Sequence, residues 1–428
     1  MNTEKNIYSL KYLAWLLFGF FIYINFAPSL RLVLVGGQEA KTAYEFLITA
    51  LPDIFFLLII LFSIAVYYKG ARFRLTRFDW IIIFYLVFNI IYGSILSGNL
   101  FISAQGFRVT YLSMLFYFVA RLFSSEGEQG TSGKLLLNVF WFYALFVIAG
   151  LILHFGFADF EKSLIKTNGN IQSAYFIARM GSFILMPVVF ATIVSFACSY
   201  FYYRLLNNGA WWNYIFIAIL WTGIFLSVSR GPIISFLIAF ITLTILSRKW
   251  VKALGTLFLI TVISGLLSWI LIGSLSPLAW LFSSAFDTLS MGEHITRVGL
   301  WIKSLHDFQQ RPFGYGLGHA GVTAVRFLKH TNIPAAVYTT DGWYLKLACE
   351  TGIPGLLSYL ILFGSFFYAG AKYIRNNGFT FFSFIFTLAV MINAQNIVEN
   401  VLDFYPYIAL YWFILGLSQQ WIGQRQSV

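Results

Sequence analysis

Charge is what this 428-residue sequence most lacks: Asp, Glu, Lys and Arg make up 10% of it, against about 25% in an ordinary soluble domain. Acids are the scarcer sign, 16 against 28 Lys and Arg, for a net charge of +12. Cysteine is nearly absent; Cys198 and Cys349 both sit in apolar runs, so no disulfide framework or thiolate metal cluster is available. The five histidines show no HExxH or similar metal spacing. What fills the space is apolar: 59% hydrophobic and 20% aromatic residues, with a mean hydropathy of +0.78. A chain of this composition cannot stay soluble, which excludes a cytosolic enzyme, a nucleic-acid module and a secreted disulfide scaffold. The positive balance then reports basic cytoplasmic loops and a site for an anionic ligand rather than nucleic acid. The sequence reads as an all-α polytopic integral membrane protein.

A span needs about 20 apolar residues. By that criterion twelve transmembrane helices are expected, near 11–29, 46–68, 79–98, 103–122, 135–156, 181–203, 211–228, 231–247, 253–273, 345–372, 379–398 and 404–422. The eighth is short and the tenth is broken by Gly352, Pro354 and Gly355, so eleven or thirteen remain open. The first run has no small-residue cleavage site and reads as a retained span. The loops 69–77 and 248–252 are dense in Lys and Arg and place both termini in the cytoplasm. No repeat or Gly/Ser linker divides the chain, so 1–428 is expected to be one membrane domain. Its single long polar segment, 274–342, falls outside. Trp280, Phe286, Trp301 and Phe313 make that loop too aromatic for disorder and suggest that it folds back on the membrane surface.

The same outer face collects Arg179, Arg230, Arg297, Arg311 and Arg326. For any one of them interfacial anchoring is as good a reading as ligand binding. Five on the side that should be depleted point to phosphate, which guanidinium forks bind bidentately. Gly314, Gly316, Gly318 and Gly321 superficially suggest a nucleotide loop, but no Lys-Ser/Thr follows and no strand precedes. They are expected to allow tight turns near a substrate. Glu350 and Glu399 are intramembrane acids and functional candidates, while Lys346, one turn before Glu350, offers a purely structural partner. His154 reads as a hydrogen-bonded core residue. The outer face carries no Asp-x-Asp pair, so metal-dependent glycosyl transfer has little support.

The run from Asp341 through Gly342, Trp343, Tyr344, Leu345, Lys346 and Glu350 to Gly352 and Gly355 resembles the signature of the O-antigen ligase and polymerase superfamily. Ser229-Arg230-Gly231, Arg297 with Trp301, the stretch from Pro312 to Gly318, and Arg179 with Gly181 resemble further elements of that family, in order, over about 175–420. The resemblance implies a GT-C-like architecture of about twelve helices with one long periplasmic loop in the bacterial inner membrane. It implies a metal-independent inverting glycosyltransferase that needs no cofactor. The donor is an undecaprenyl-pyrophosphate-linked oligosaccharide. The acceptor glycan is a second lipid-linked repeat (polymerases) or lipid A core (ligases), and a chain-length-regulating copolymerase is a further implied partner. Asp341, Arg297 and Arg230 are then the catalytic candidates. Arg179, Arg326, Arg311, Tyr344, Glu350, Gly316 and Gly318 are the substrate-binding ones.

Ligases carry His and Asn where this chain has Asp341 and Gly342, which favours polymerase over ligase. An Asp among arginines has a depressed pKa and is a weak base, so it would orient the acceptor hydroxyl and take its proton late. A simple N-cap of span ten is the competing role for Asp341. A lipid-linked-sugar flippase stays open as a different class, although charges crowded on one face and the lack of repeat symmetry speak against it.

Overall fold

A computed structural model describes residues 2–35, 43–69, 73–123, 130–157, 180, 182–184, 186–270, 297–328, 333–336 and 342–419. Among the described residues the regular structure is helical, apart from one isolated bridge between Ala320 and Ala336. The helices are α1 (Asn2–Val35), α2 (Ala43–Tyr68), α3 (Arg77–Ser97), α4 (Leu100–Thr110), α5 (Leu115–Arg121), α6 (Thr131–Gly156), α7 (Pro187–Asn208), α8 (Trp212–Leu226), α9 (Arg230–Ser247), α10 (Trp250–Ile270), α11 (Arg297–Gln310), α12 (Gly321–Phe327), α13 (Trp343–Asn377), α14 (Phe381–Gln395) and α15 (Ala409–Leu417).

Their ends follow from local chemistry. Thr76 caps α3 by accepting from the Asp79 amide, and Asp79 accepts in return from the Thr76 amide at 2.6 Å, a reciprocal capping box. Gly98, left-handed at φ 61°, ends α3, and Asn99 starts α4 by accepting from Ile102 N at 3.2 Å. Pro187 opens α7, where its missing N–H costs nothing, and left-handed Gly209 closes it. In α13 the backbone leaves helical geometry at Gly352 (φ 62°), two residues before Pro354.

The chain folds into two compact units, neither continuous in sequence: 1–73, 118–277 and 379–388 form the first, and 74–117, 278–378 and 389–428 the second. In the first, α7 is central; 89% of its most apolar window is buried, and α6, α8 and α9 pack on it. The α2 face of Leu57, Leu61 and Ile64 and the α10 face of Val251, Leu254 and Phe258 are exposed. Apolar faces that broad need lipid rather than water. In the second unit α3 and α11 pack along α13, and α12 packs on α4.

Eight described helices are long and apolar enough to cross a membrane: segments of α1, α2, α3, α6, α7, α9, α10 and α13. The expected fourth span is interrupted, α4 ending at Thr110 and a 3-10 turn (Leu112–Met114) preceding α5. The expected seventh and eleventh spans are the 15-residue helices α8 and α14, and among its described residues the twelfth holds the 9-residue α15, after a 3-10 turn at Val401–Asp403. Much of the 274–342 loop lies outside the described residues. Its described part is α11, the turn region 311–320, α12 with Leu328, residues 333–336 and Gly342.

Candidate functional site

The second unit is organised by a splice between the glycine-rich turn 312–318 and the break in α13. In an unbroken helix the Glu350 carbonyl would accept from the amide of residue 354, but Pro354 has none. Gly316 N fills the vacancy, donating to Glu350 O at 2.8 Å. The Cys349 carbonyl likewise loses Ile353, whose amide donates instead to Pro312 O at 2.9 Å, and Tyr315 N donates to Cys349 O at 2.8 Å. Leu317 N reaches across to Gly93 O of α3, also at 2.8 Å. The turn thus borrows carbonyls from two helices, and every one of these buried polar groups is satisfied.

The glycines are dictated by this proximity. Gly316 has φ 110°, and a Cβ there would stand 2.3 Å from Ser97 N; at Gly352 (φ 62°) it would stand 2.3 Å from Pro312 O. No other residue fits either place.

Side chains complete the arrangement. Glu350 is buried, and its Oε1 accepts from Gly318 N at 3.0 Å. Lys346, also buried, lies 3.8 Å from Glu350 Oε2, donates to Asp403 Oδ1 at 2.6 Å and to Thr110 Oγ1 at 2.7 Å. Thr110 Oγ1 donates to Asp403 Oδ1 at 3.0 Å. The anticipated Lys346–Glu350 pair is present, but the closer partner is Asp403, from a segment 57 residues away. Asp403 and Thr110 escape a reading of the sequence because neither belongs to a recognisable motif. The usable signal is an isolated acid, Asp403, beside the last apolar run.

Tyr344 OH lies 3.1 Å from Asn393 Oδ1, to which Tyr359 OH also donates at 3.0 Å. Arg311 is exposed and stacks 4.8 Å from the Tyr315 ring centre. Burial raises the Tyr315 pKa, and it lowers that of His319 on the same turn. Arg326, in the last turn of α12, lies 5.7 Å from the Phe327 ring. Arg297 is the first residue of α11, a helix fastened to α13 where Cys349 Sγ contacts Ser304 O at 3.4 Å. The indole N–H groups of Trp301 and Trp343 are buried without a partner among the described residues. Arg230 belongs to the first unit. It begins α9 directly after the turn Ser227–Ser229, where Val228 takes a left-handed φ of 50°. His154 is only partly buried, against Phe155. Asp341 and Arg179 lie outside the described residues. Of the anticipated residues, then, Gly316, Gly318 and Glu350 meet directly, with Arg311 on the same turn.

A polytopic helical membrane protein whose glycine turn is spliced into a broken helix is the class that this geometry defines. Residues 215–360, about a third of the chain, match the family model described as O-antigen ligase (Wzy_C), in agreement with the resemblance carried by the motifs. The match spans α9, α11, the spliced turn and the first half of α13. No curated protein matches the chain.

Proposed function

We propose that the chain is a repeat-unit polymerase of the bacterial inner membrane. It transfers an undecaprenyl-pyrophosphate-linked glycan to the sugar hydroxyl of an acceptor at the periplasmic face. In this reading the chain crosses the membrane twelve times with 274–342 outside. The observation that carries it is the splice: the Pro312–Gly318 and Glu350–Gly355 motifs, separate in sequence, interlock within the segment that matches the family.

Arg230 and Arg297 hold the donor pyrophosphate, assisted by Arg179, Arg311 and Arg326. Bidentate guanidinium contacts neutralise the charge that develops as the pyrophosphate departs, so no metal is required. Asp341, two residues before α13 in the sequence, orients the acceptor hydroxyl on the face opposite the leaving group and takes its proton late, which inverts the anomeric centre. Glu350 is committed to Gly318 and Lys346 and acts by positioning the glycine turn. Tyr344 shapes the acceptor side.

Polymerase is favoured over ligase by residue 342. Gly342 has φ 120°, and a Cβ there would approach Ile397 O to 2.7 Å, so the Asn that ligases carry at this place does not fit this backbone. Deleting the gene and sizing the surface polysaccharide tests the reading. Loss of a polymerase leaves single repeats on the surface acceptor, whereas loss of a ligase leaves none. Loss of a flippase strands the repeat on the cytoplasmic leaflet.

A further inference from the structure

In the first unit, α6, α7 and α8 enclose a crevice of about 370 Å³ lined by Trp141, Phe201, Arg204, Trp212, Asn213 and Phe216. Its polarity is graded along the helix axes. Arg204 lies near the end of α7 with Trp212 and Asn213 at the start of α8. One turn deeper, Phe201 and Phe216 stack at 4.6 Å between centroids, and Trp141 closes the wall 4.2 Å from Phe216. The crevice opens outward, Trp141 being 43% and Trp212 56% exposed. Trp211 stacks on Trp212, an aromatic pair of the kind that sits at headgroup depth.

The electrostatics are one-sided. Residues 162–286 contain no Asp or Glu. Lys252 donates to the Leu205 carbonyl at 3.1 Å and Lys249 to that of Leu206, so these two lysines cap the end of α7. Arg204 is the cation that lines the crevice, its guanidinium 6.0 Å from the Tyr200 ring. A second crevice of about 200 Å³, between α1 and α6, repeats the recipe with Lys11, Trp15, Lys134 and Asn138.

We infer that the Arg204 crevice binds an anionic phospholipid, its phosphate on Arg204 and Asn213 and an acyl chain against Phe201, Phe216 and Trp141. A soluble anion would leave the aromatic floor wet. A zwitterionic lipid would bring its ammonium toward Arg204 and the Lys249 and Lys252 side chains at the end of α7. Only a ligand with both a net negative head and a tail uses both halves of the crevice. The end of α7 lies against the basic turn 248–252 between α9 and α10, through Lys249 and Lys252, and anionic lipid attracts such Lys and Arg clusters. The site is independent of the glycosyltransferase reading, since it needs neither the donor nor the outer arginines.

The full chain, purified in detergent and exposed to equimolar phosphatidylglycerol and phosphatidylcholine, is passed through a sizing column and its retained lipid quantified by mass spectrometry. Phosphatidylglycerol should be retained selectively, and Arg204→Gln should weaken its retention about fivefold, the value expected for one interfacial cation. Trp212→Leu, at an exposed position that leaves the core untouched, should reduce retention of the same lipid. Glycerol phosphate at millimolar concentration should not compete. Equal retention of both lipids overturns the inference. So does unchanged retention in folded, monodisperse Arg204→Gln, and competition by glycerol phosphate would make this a soluble-phosphate site instead.

Discussion

Lys346 is the side chain on which most of the buried charge in the second unit depends. It stands between two carboxylates, Asp403 at 2.6 Å and Glu350 at 3.8 Å. Removing one partner of a buried ion pair costs about 3–5 kcal/mol, chiefly because the other charge is stranded. Lys346→Met should therefore lower the melting temperature sharply in detergent, and Asp403→Asn in the same chain should recover part of the loss. An additive double variant would show that the contact carries little coupling. His319 gives a second residue-scale test. Its ring is buried and its Nδ1 lies 3.3 Å from Leu317 O, and burial sets its pKa below the ordinary value of about 6.5. The folded state then binds fewer protons than the unfolded one, so this contribution is complete above about pH 6.5 and is lost as pH falls through the folded pKa. Melting temperature should drop between about pH 7 and pH 5, and His319→Gln should flatten that dependence. An equally steep profile in the variant would assign the acid sensitivity elsewhere.

Among the elements, α13 best shows what was legible and what was not. Its interruption is readable from Gly352, Pro354 and Gly355, because a proline removes a helical donor wherever it stands. The use made of the interruption is not, since nothing local to 349–354 says that Tyr315 and Gly316 will donate to the freed carbonyls. The Pro312–Gly318 motif is likewise visible as glycines, while the neighbours that require them, Ser97 and Pro312 among others, come from distant segments. Long apolar helices such as α6 are read within a few residues, since composition over about 20 positions decides them. The regular helix is shorter than the apolar run at α4 and α15, next to the 3-10 turns Leu112–Met114 and Val401–Asp403 that the apolar pattern does not announce. The splice predicts the behaviour of Pro354→Ala. A restored amide at 354 competes with Gly316 N for the Glu350 carbonyl, so the Tyr315 and Gly316 amides should exchange with deuterium at least about tenfold faster, the effect of losing about 1.4 kcal/mol of local protection. Unchanged exchange would mean that the turn is held by its other contacts alone.

For the molecule as a whole, the composition settles the class at once, because a chain with 10% charged residues has few alternatives to a membrane. The resemblance to the family rests on short motifs weak singly but ordered along the chain, and the family model matches residues 215–360. Polymerase and ligase differ in which hydroxyl is presented to the donor, and the proposed reading as a polymerase leans on Asp341 and Gly342. The most direct test supplies the purified protein with undecaprenyl-pyrophosphate-linked repeat units and no other acceptor, then resolves the products by size. A polymerase extends the lipid-linked repeat into a ladder. In Asp341→Asn, which keeps the size of the side chain but cannot take a proton, the rate should fall at least about tenfold while donor binding is unchanged. Repeats that remain single until lipid A core is added, and are then transferred to it, would contradict the polymerase assignment.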